Sequence, residues 1–323
     1  MTDAMTDAIT QPVLVVIDSL DTADTAAELL GAASEIGTPV ALTASEEIAG
    51  QLGELGAAKV LVASLPDDVL GIPLTDATVA AITATNPAAI LFANNVEGRD
   101  VAARVAVREK RALLTDVTAV RRDDQGVITD HSVFGGNYLT VGAATHSAPV
   151  VTLRPGAVDT QATPQAAVVE TLAVELSSRR AATVVSRAEV TDESARPPLR
   201  TADRVVTGGA ATGSAEQFEE LVGGLADALG AAVGATRVAV DNGYISNDHQ
   251  VGQTGVLVSP QLYIALGVSG AIQHLVGMQT ADTIVAVNTD ADSPIFEVAD
   301  FGVVGDIFEI VPQLIAAINE RKA

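Results

Sequence analysis

The sequence predicts an α/β protein of two domains: an N-terminal α/β domain with a parallel sheet and a C-terminal doubly wound domain. From Val13 onward, short β-branched runs alternate with Ala-rich amphipathic segments, which is the rhythm of βαβ units. Hydrophobic residues make up 48% of the chain but aromatic residues only 3%. Ala, Val, Ile and Leu must therefore build the core, as in parallel-sheet proteins. The length of 323 residues favours two cores over one.

The first domain is expected over residues 12–190. The pattern predicts strands at 13–17, 40–43, 59–63 and 88–92, with helices at 22–36, after Ser45, at 73–85 and from 101. Pro73 supports the start of the third helix, because proline fits the first helical turn. Beyond Leu113 the pattern changes to strand-like pieces at 116–120, 126–134, 138–143 and 149–153. The remainder of this domain should be β-rich, with Phe134-Gly-Gly-Asn137 as a hairpin connection.

The domain boundary is expected within residues 186–201, which carry two prolines, many charges and no sustained period. The second domain then covers residues 200–323. Its pattern predicts a strand at 204–207, a helix to about Val233, strands at 237–240, 262–266, 283–287 and 301–304, a short helix after Gly270 and a final helix at 306–321. Ligands bind such sheets at the carboxyl ends of the strands, and the distinctive motifs of the chain fall there.

Composition excludes several function classes. A net charge of −23, with only 18 Lys and Arg, argues against nucleic acid or anionic lipid as partners. The absence of cysteine excludes disulfides, thiol nucleophiles and Cys-ligated metals within this chain. No metal is predicted, because His131, His146 and His249 have no metal-ligand spacing. The acidic N-terminus, with Met1 or Met5 as the start, lacks targeting features and predicts a cytoplasmic protein.

The most informative stretch runs from Ser259 to His274. An apolar strand ends in a Gly-Val-Ser-Gly turn that opens a short helix, so backbone N–H groups, a hydroxyl, an amide and an imidazole converge. This arrangement suits a bulky, polyanionic redox cofactor. A hydrolase nucleophile at Ser269 is disfavoured, because the second flanking glycine comes one position too early and no base and acid accompany it. His274 on its own is also compatible with a core histidine.

Other motifs are ambiguous by themselves. Val205 to Ser214 reads as strand, glycine turn and helix, with Ser214 as N-cap and Gln217 in the capping-box position. Ala210 occupies the place of the glycine that a dinucleotide fingerprint needs, so a helix cap and an anion site stay equally open. Taken alone, Arg237 is expected to be an exposed charge and the 250–255 loop a turn. Asn288 is expected to be a turn former and Asp306 a helix N-cap.

Together with Asp241-Asn-Gly-Tyr244, Val251-Gly-Gln-Thr-Gly255 and Val298-Ala-Asp-Phe-Gly302, this stretch resembles the flavin-binding domain of electron transfer flavoprotein alpha subunits. The resemblance implies FAD as the cofactor. The cofactor-binding residues that it implies are Arg237, Gln253, Thr254, Ser269, Gly270, Ala271, Ile272, Gln273, His274, Asn288 and Asp306.

The resemblance also assigns roles to these residues. Arg237 would lie over the flavin ring and stabilise negative charge there, with the Thr254 hydroxyl near N5. His274 would hydrogen-bond the pyrimidine carbonyl, while Asn288 and Asp306 would contact the ribityl or adenosine part.

Two positions depart from the family pattern. The family usually has arginine where this chain has Ala210 and commonly has lysine where it has Val256. We therefore expect either looser anchoring of the FAD phosphates or a compensating group.

The resemblance implies an electron carrier rather than a substrate-converting enzyme. It would form a heterodimer with a beta subunit that binds AMP, accept electrons from flavin dehydrogenases such as the acyl-CoA dehydrogenases of fatty acid β-oxidation, and pass them to a membrane-linked quinone oxidoreductase. Two alternatives stay open: a nucleotide-binding or structural interaction module without tight flavin, and a subunit of a bifurcating complex that uses NADH.

Overall fold

The computed structural model describes residues 10–17, 23–134, 138–187 and 196–322. The chain divides into two compact units, Met1–Val133 with Leu139–Glu189 and Phe134–Tyr138 with Val190–Ala323. The predicted N-terminal tail, the start of the first helix, the middle of the predicted hairpin turn and most of the predicted boundary segment lie outside the described residues. Both units are built on largely parallel sheets with helices, which confirms the predicted fold class.

The first unit contains a nine-stranded sheet in the order β10-β3-β2-β1-β5-β9-β6-β7-β8 and a small antiparallel pair, β4 with β11. The strands are β1 (Pro12–Val16), β2 (Thr38–Thr43), β3 (Lys59–Ala63), β4 (Val69–Leu70), β5 (Ala89–Ala93), β6 (Leu113–Arg122), β7 (Val127–Val133), β8 (Tyr138–Ala143), β9 (Val150–Leu153), β10 (Val168–Leu172) and β11 (Ala182–Thr183). The helices are α1 (Ala23–Ile36), α2 (Ala49–Glu54), α3 (Ile72–Thr85) and α4 (Val96–Glu109). Strands β10 to β6 of this order run parallel, and β7 pairs with β6 in the antiparallel sense.

Most predicted elements of this unit form within a few residues of their predicted bounds, but β4, β10 and β11 were not predicted. Strand β10 pairs with β3 at the edge of the sheet and is almost wholly exposed. An exposed edge strand shows no alternation of buried and exposed residues, so the periodicity on which strand prediction depends is absent.

The second unit is a five-stranded, fully parallel sheet in the order β13-β12-β14-β15-β16. Its strands are β12 (Arg204–Gly208), β13 (Ala232–Ala235), β14 (Leu262–Leu266), β15 (Ile284–Asn288) and β16 (Phe301–Val304). Its helices are α5 (Ala215–Phe218), the π-helical Glu219–Gly223, α6 (Gly224–Leu229), α7 (Arg237–Asp241), α8 (Ile272–Leu275), α9 (Ile295–Val298) and α10 (Ile307–Lys322), with 3₁₀ turns at Ala210–Thr212 and Asn247–His249.

Both faces of the sheet are buried at β14, as the continuous apolar sequence of this strand predicts. Ile264 and Leu266 pack into the cluster that contains Phe218, whereas Tyr263 and Ala265 pack into the cluster on the other face. The chain order reverses between β12 and β14, because β13 lies on one side of this pair and β15 and β16 lie on the other. The loops that leave β12 and β14 therefore diverge at their carboxyl ends, which opens a crevice there.

The prediction of a strand at 237–240 is wrong. The strand is β13, at Ala232–Ala235, and residues 237–241 form helix α7, which also means that the preceding helix ends at Leu229 and not near Val233. Thr236 caps α7, because its hydroxyl accepts a hydrogen bond from the Ala239 N–H at 3.3 Å. The alternation of valine and alanine favoured a strand, but the cap and the burial of Ala239 in the core stabilise a helical turn instead.

Among the described residues, no helix combines the length and the apolar character that crossing a bilayer requires.

Candidate functional site

A cleft of about 460 Å³ lies at the carboxyl ends of β12 and β14, where the strand order reverses. Gly209, directly after β12, and Gly267, directly after β14, both line it. Its volume falls within the range of small-molecule sites. The predicted site residues that line this cleft are Arg237, Gln253, Thr254, Ser269, Ala271, Gln273 and His274.

A second, smaller cleft of about 200 Å³ is lined by Asn288 and Asp306, which were also predicted. Gly267 lines both clefts, so the two lie on either side of one turn. Of the remaining predicted residues, Gly270 is buried within this turn and Ile272 is exposed, and neither is among the lining residues. The structure thus brings the predicted residues to one edge of one sheet.

Arg237 is the first residue of α7 and lines the larger cleft with most of its side chain exposed. Its Nε lies 3.3 Å from Oδ2 of Asp241, one helical turn on, which is an exposed ion pair of small energetic value. It is the one charged residue among the described residues that line this cleft. In a chain of net charge −23, Arg237 supplies a local positive charge at a site that suits an anionic ligand.

The 250–255 loop holds the Thr254 hydroxyl in place. Nε2 of the buried Gln250 donates to Oγ1 of Thr254 at 2.9 Å, which leaves the hydroxyl hydrogen of Thr254 able to donate to a ligand. The Gln253 N–H donates to the Gln273 carbonyl at 2.8 Å and ties this loop to α8. Gly252 has a φ of +145°, and a Cβ there would lie 2.7 Å from the Gln273 oxygen, so only glycine allows this approach.

The turn after β14 presents a row of free backbone donors. The N–H groups of residues 269–273 donate no hydrogen bond to any described residue, and Ala271, the N-cap of α8, provides no side-chain cap. Gly270, with a φ of +86°, lets the turn pack against Ile295, whose nitrogen would lie 2.2 Å from a Cβ. Ser269, Ala271, Ile272 and Gln273 are all exposed. Successive unpaired N–H groups of this kind form an anion-binding surface.

His274 lines the larger cleft but is itself 6% exposed. Its Nε2 lies 2.9 Å from the hydroxyl oxygen of the fully buried Tyr263, and its Nδ1 has no hydrogen-bond partner among the described residues. Burial lowers the pKa of His274 to about 4, and burial also raises the pKa of Tyr263. Both side chains are therefore neutral near pH 7.

Asn288 and Asp306 act as turn and cap residues at the smaller cleft. The Asn288 Nδ2 donates to the Val268 carbonyl at 2.9 Å, and its Oδ1 accepts from the Asp290 N–H. Oδ1 of Asp306 accepts from the Phe308 N–H at 2.9 Å at the start of α10. Both residues therefore have the turn and cap roles that the sequence also allowed. The same hydrogen bonds hold both side chains at the cleft.

The two departures from the family pattern lie in different surroundings. Ala210 is exposed and lines the larger cleft, whereas Val256 is half-buried and packs against an apolar cluster. No second cation takes their place, since the described residues that line either cleft include no other Lys or Arg. Among these residues, therefore, no additional charged side chain compensates for the two missing cations.

Two of the remaining histidines make local contacts. His131 Nε2 lies 2.8 Å from the Thr129 hydroxyl, and His249 Nδ1 lies 3.0 Å from the Ser246 hydroxyl. Within the described part of the chain, no group of three or more His, Asp and Glu side chains is placed to hold a metal ion.

Sequence reasoning missed three residues that shape the larger cleft. Thr236 and Gln250 line it, and Tyr263 lies behind His274. Thr236 stands where an N-cap is expected before a helix, a signal that the strand assignment of 237–240 obscured. The roles of Gln250 and Tyr263 depend on side-chain contacts that no sequence spacing indicates.

Comparisons with known proteins agree with this geometry. The family model described as the electron transfer flavoprotein FAD-binding domain matches residues 198–279, and the electron transfer flavoprotein domain model matches residues 13–177.

Curated relatives with the name electron transfer flavoprotein subunit alpha align over most of this chain, among them the following three. The Mycobacterium leprae protein is 45% identical over 303 residues, 92% of this chain and 94% of the relative. A Mycobacterium tuberculosis protein is 46% identical over 321 residues, 96% and 99% of the two chains. The Syntrophomonas wolfei protein is 38% identical, with coverage of 91% and 94%.

Proposed function

Because this chain belongs to the electron transfer flavoprotein alpha subunit family, we propose that it carries electrons on an FAD bound at the two clefts of its second unit. The observation that carries the proposal is the convergence of Arg237, Thr254, His274 and the free 269–273 backbone donors at one edge of one sheet. A bound flavin supplies reversible uptake and release of electrons.

The donor set fits FAD in three respects. The unpaired N–H groups of residues 269–273 match a diphosphate, which needs several hydrogen-bond donors and no counter-charge of fixed geometry. The larger cleft has mainly apolar walls that suit a fused ring system. The smaller cleft, across the Gly267 turn, offers the amide of Asn288 and the carboxylate of Asp306, which suit sugar hydroxyls.

The residues of the larger cleft then have distinct roles. Arg237 places a fixed positive charge at the site, which favours electron uptake by any group held there. The Thr254 hydroxyl, oriented by Gln250, is positioned to donate a hydrogen bond. His274, neutral because of its burial, adds a hydrogen-bonding group without adding charge. Arg237 is therefore the residue that sets the electrostatics of the site.

Since Ala210 and Val256 provide no cation, we propose that neutral backbone donors carry most of the anchoring of the FAD phosphates. Charge-assisted hydrogen bonds are roughly twice as strong as neutral ones. FAD should accordingly bind less tightly here than in family members that have arginine at the first of these positions.

The proposal extends to partners. We propose that the chain forms a heterodimer with a beta subunit that binds AMP, accepts electrons from flavin dehydrogenases and passes them to a membrane-linked acceptor. Membership of the alpha subunit family supports a beta-subunit partner in general.

The test is to produce the chain together with its beta subunit and to record the visible spectrum during slow anaerobic reduction. We expect a flavin spectrum that bleaches on reduction, with both subunits in the purified complex. A matched pair of variants localises the site. Ala271→Asp places a carboxylate beside the free N–H groups and should lower the FAD content, whereas Ala316→Asp, on the exposed side of α10, should leave it unchanged.

Each alternative has its own outcome in this experiment. A colourless complex that takes up no added FAD contradicts the proposal and supports an interaction module. Reduction of the bound flavin by NADH alone supports a bifurcating complex.

A further inference from the structure

Tyr263 and His274 form a buried polar pair behind the larger cleft. The Tyr263 hydroxyl oxygen lies 2.9 Å from Nε2 of His274, and Tyr263 is fully buried in the middle of β14. A tyrosine in a buried strand usually finds a partner for its hydroxyl group. Here that partner is a side chain that lines the cleft.

The direction of this hydrogen bond follows from where the phenol hydrogen can go. Burial raises the pKa of Tyr263, whereas the Thr207 hydroxyl beside the Tyr263 hydroxyl lowers it, as a hydrogen-bond donor does and an acceptor does not. The Thr207 oxygen has no partner of hydrogen-bond geometry among the described residues. Among the described residues, His274 Nε2 is thus the acceptor available to Tyr263. An Nε2 that accepts a hydrogen bond carries no proton, so the neutral imidazole must be protonated on Nδ1.

The surroundings of the ring agree with this assignment. The Val251 carbonyl lies near the ring and raises the pKa of His274, although burial outweighs it and no hydrogen bond to Nδ1 forms. A carbonyl oxygen beside the ring attracts an N–H and repels a nitrogen lone pair. With Nε2 turned to the Tyr263 hydroxyl, the ring nitrogen that remains to carry the N–H is Nδ1.

We propose that Tyr263 is a positioning residue that fixes His274 as the Nδ1–H tautomer. Nε2 is then held by the protein itself, and Nδ1 carries the ring proton. The use of this donor by a bound flavin rests on the function proposed above. The tautomer itself does not, because it is set by contacts within this chain.

The tautomer is measurable directly on the full chain. The chain has four histidines, so labelling with ¹⁵N-histidine gives few ring signals, and the His274→Gln variant identifies those of His274. Spectra that correlate ring nitrogens with ring protons near pH 7 distinguish a protonated nitrogen from an unprotonated one. We expect Nδ1 protonated and Nε2 unprotonated, with and without added FAD.

Tyr263→Phe keeps the ring and removes the hydroxyl. We expect the population ratio of the Nδ1–H to the Nε2–H tautomer to fall roughly fivefold, the equivalent of one hydrogen bond of about 1 kcal/mol. The matched control is Tyr244→Phe, a half-buried tyrosine of the same unit whose hydroxyl oxygen accepts from Asn242, and it should leave the ratio unchanged.

Two results overturn the proposal. One is an Nε2–H tautomer in the unsubstituted chain, a measurement that needs no variant to fold. The other is an unchanged ratio in Tyr263→Phe. Failure of FAD binding leaves both measurements intact, so this proposal and the flavin site are tested separately.

Discussion

Replacing His274 with glutamine should remove a pH dependence from the stability of the second unit. His274 is buried beside Tyr263, and burial lowers its pKa from 6.5 to about 4. In the unfolded chain His274 has the ordinary pKa of 6.5. Between pH 4 and pH 6.5, therefore, the unfolded chain binds more protons than the folded chain. Stability from this group is therefore fully present above pH 6.5 and is lost as the pH falls toward 4.

The magnitude follows from the two pKa values. A difference of about 2.5 corresponds to about 3 kcal/mol once both states are titrated, at about 1.4 kcal/mol for each pKa unit. By linkage, the loss is about 2 kcal/mol at pH 5 and about 3 kcal/mol at pH 4. His274→Gln lacks the titrating group and should show none of this loss.

The assay is denaturant unfolding from pH 4.5 to pH 8, followed by tyrosine fluorescence. The chain has no Trp and three tyrosines, and Tyr244 and Tyr263 lie in the second unit, so the signal mainly follows this unit. Tyr138→Phe, introduced in every chain that is compared, removes the third tyrosine, which begins β8. Carboxylates titrate in the same range, but they are common to all variants and cancel in the difference from the unsubstituted chain. His249→Gln, at a half-buried histidine, is the matched control and should keep the pH slope. Parallel pH profiles for His274→Gln and the unsubstituted chain would refute the reasoning.

Three further predictions concern the cleft and its turn. Arg237→Ala should lower the reduction potential of the bound flavin, because a fixed cation is lost, while Arg237→Lys keeps most of it; an unchanged potential in redox titration contradicts this role. Ala210→Arg should slow FAD release severalfold by adding a cation at the cleft; equal release rates would show that the phosphates do not approach this position. Gly270→Ala should cost about 1–3 kcal/mol, since it adds strain at φ +86° and a contact of 2.2 Å with Ile295. Gly243→Ala, at φ +75° with nothing near its Cβ, isolates the strain in the same unfolding assay, and equal losses in the two variants would show that the contact is relieved.

Much of the site was predictable because its residues follow strand ends. In a parallel sheet, every carboxyl end lies at the same edge, so the turn at Gly267 and the residues Asn288 and Asp306 come together whatever the details of packing. The strand predicted at 237–240 would have placed Arg237 at the opposite edge, because the residue that opens a parallel strand lies at its amino end. The family resemblance, and not the strand pattern, indicated Arg237, and in the structure it follows the carboxyl end of β13. The error in the type of element would therefore have moved this residue away from the site.

The contacts behind the site were not predictable. Gln250 reaches Thr254 and Tyr263 reaches His274 through side-chain geometry, and the separations of 4 and 11 residues do not by themselves indicate contact. The sequence shows that Ala210 and Val256 carry no charge. Only the fold shows that, apart from Arg237, no Lys or Arg is among the described residues that line either cleft.

The sequence alone determined the α/β class, the parallel sheets and the edge at which the site lies, because these depend on periodicity and on which residues follow each strand. Tertiary structure decided the helix at 237–241, the edge strand β10 and the pairing of Tyr263 with His274. These features depend on burial and on partners distant in the chain, which local preferences do not encode. The position of the site therefore follows from where the strands end, whereas the hydrogen bonding and burial of His274 follow from packing.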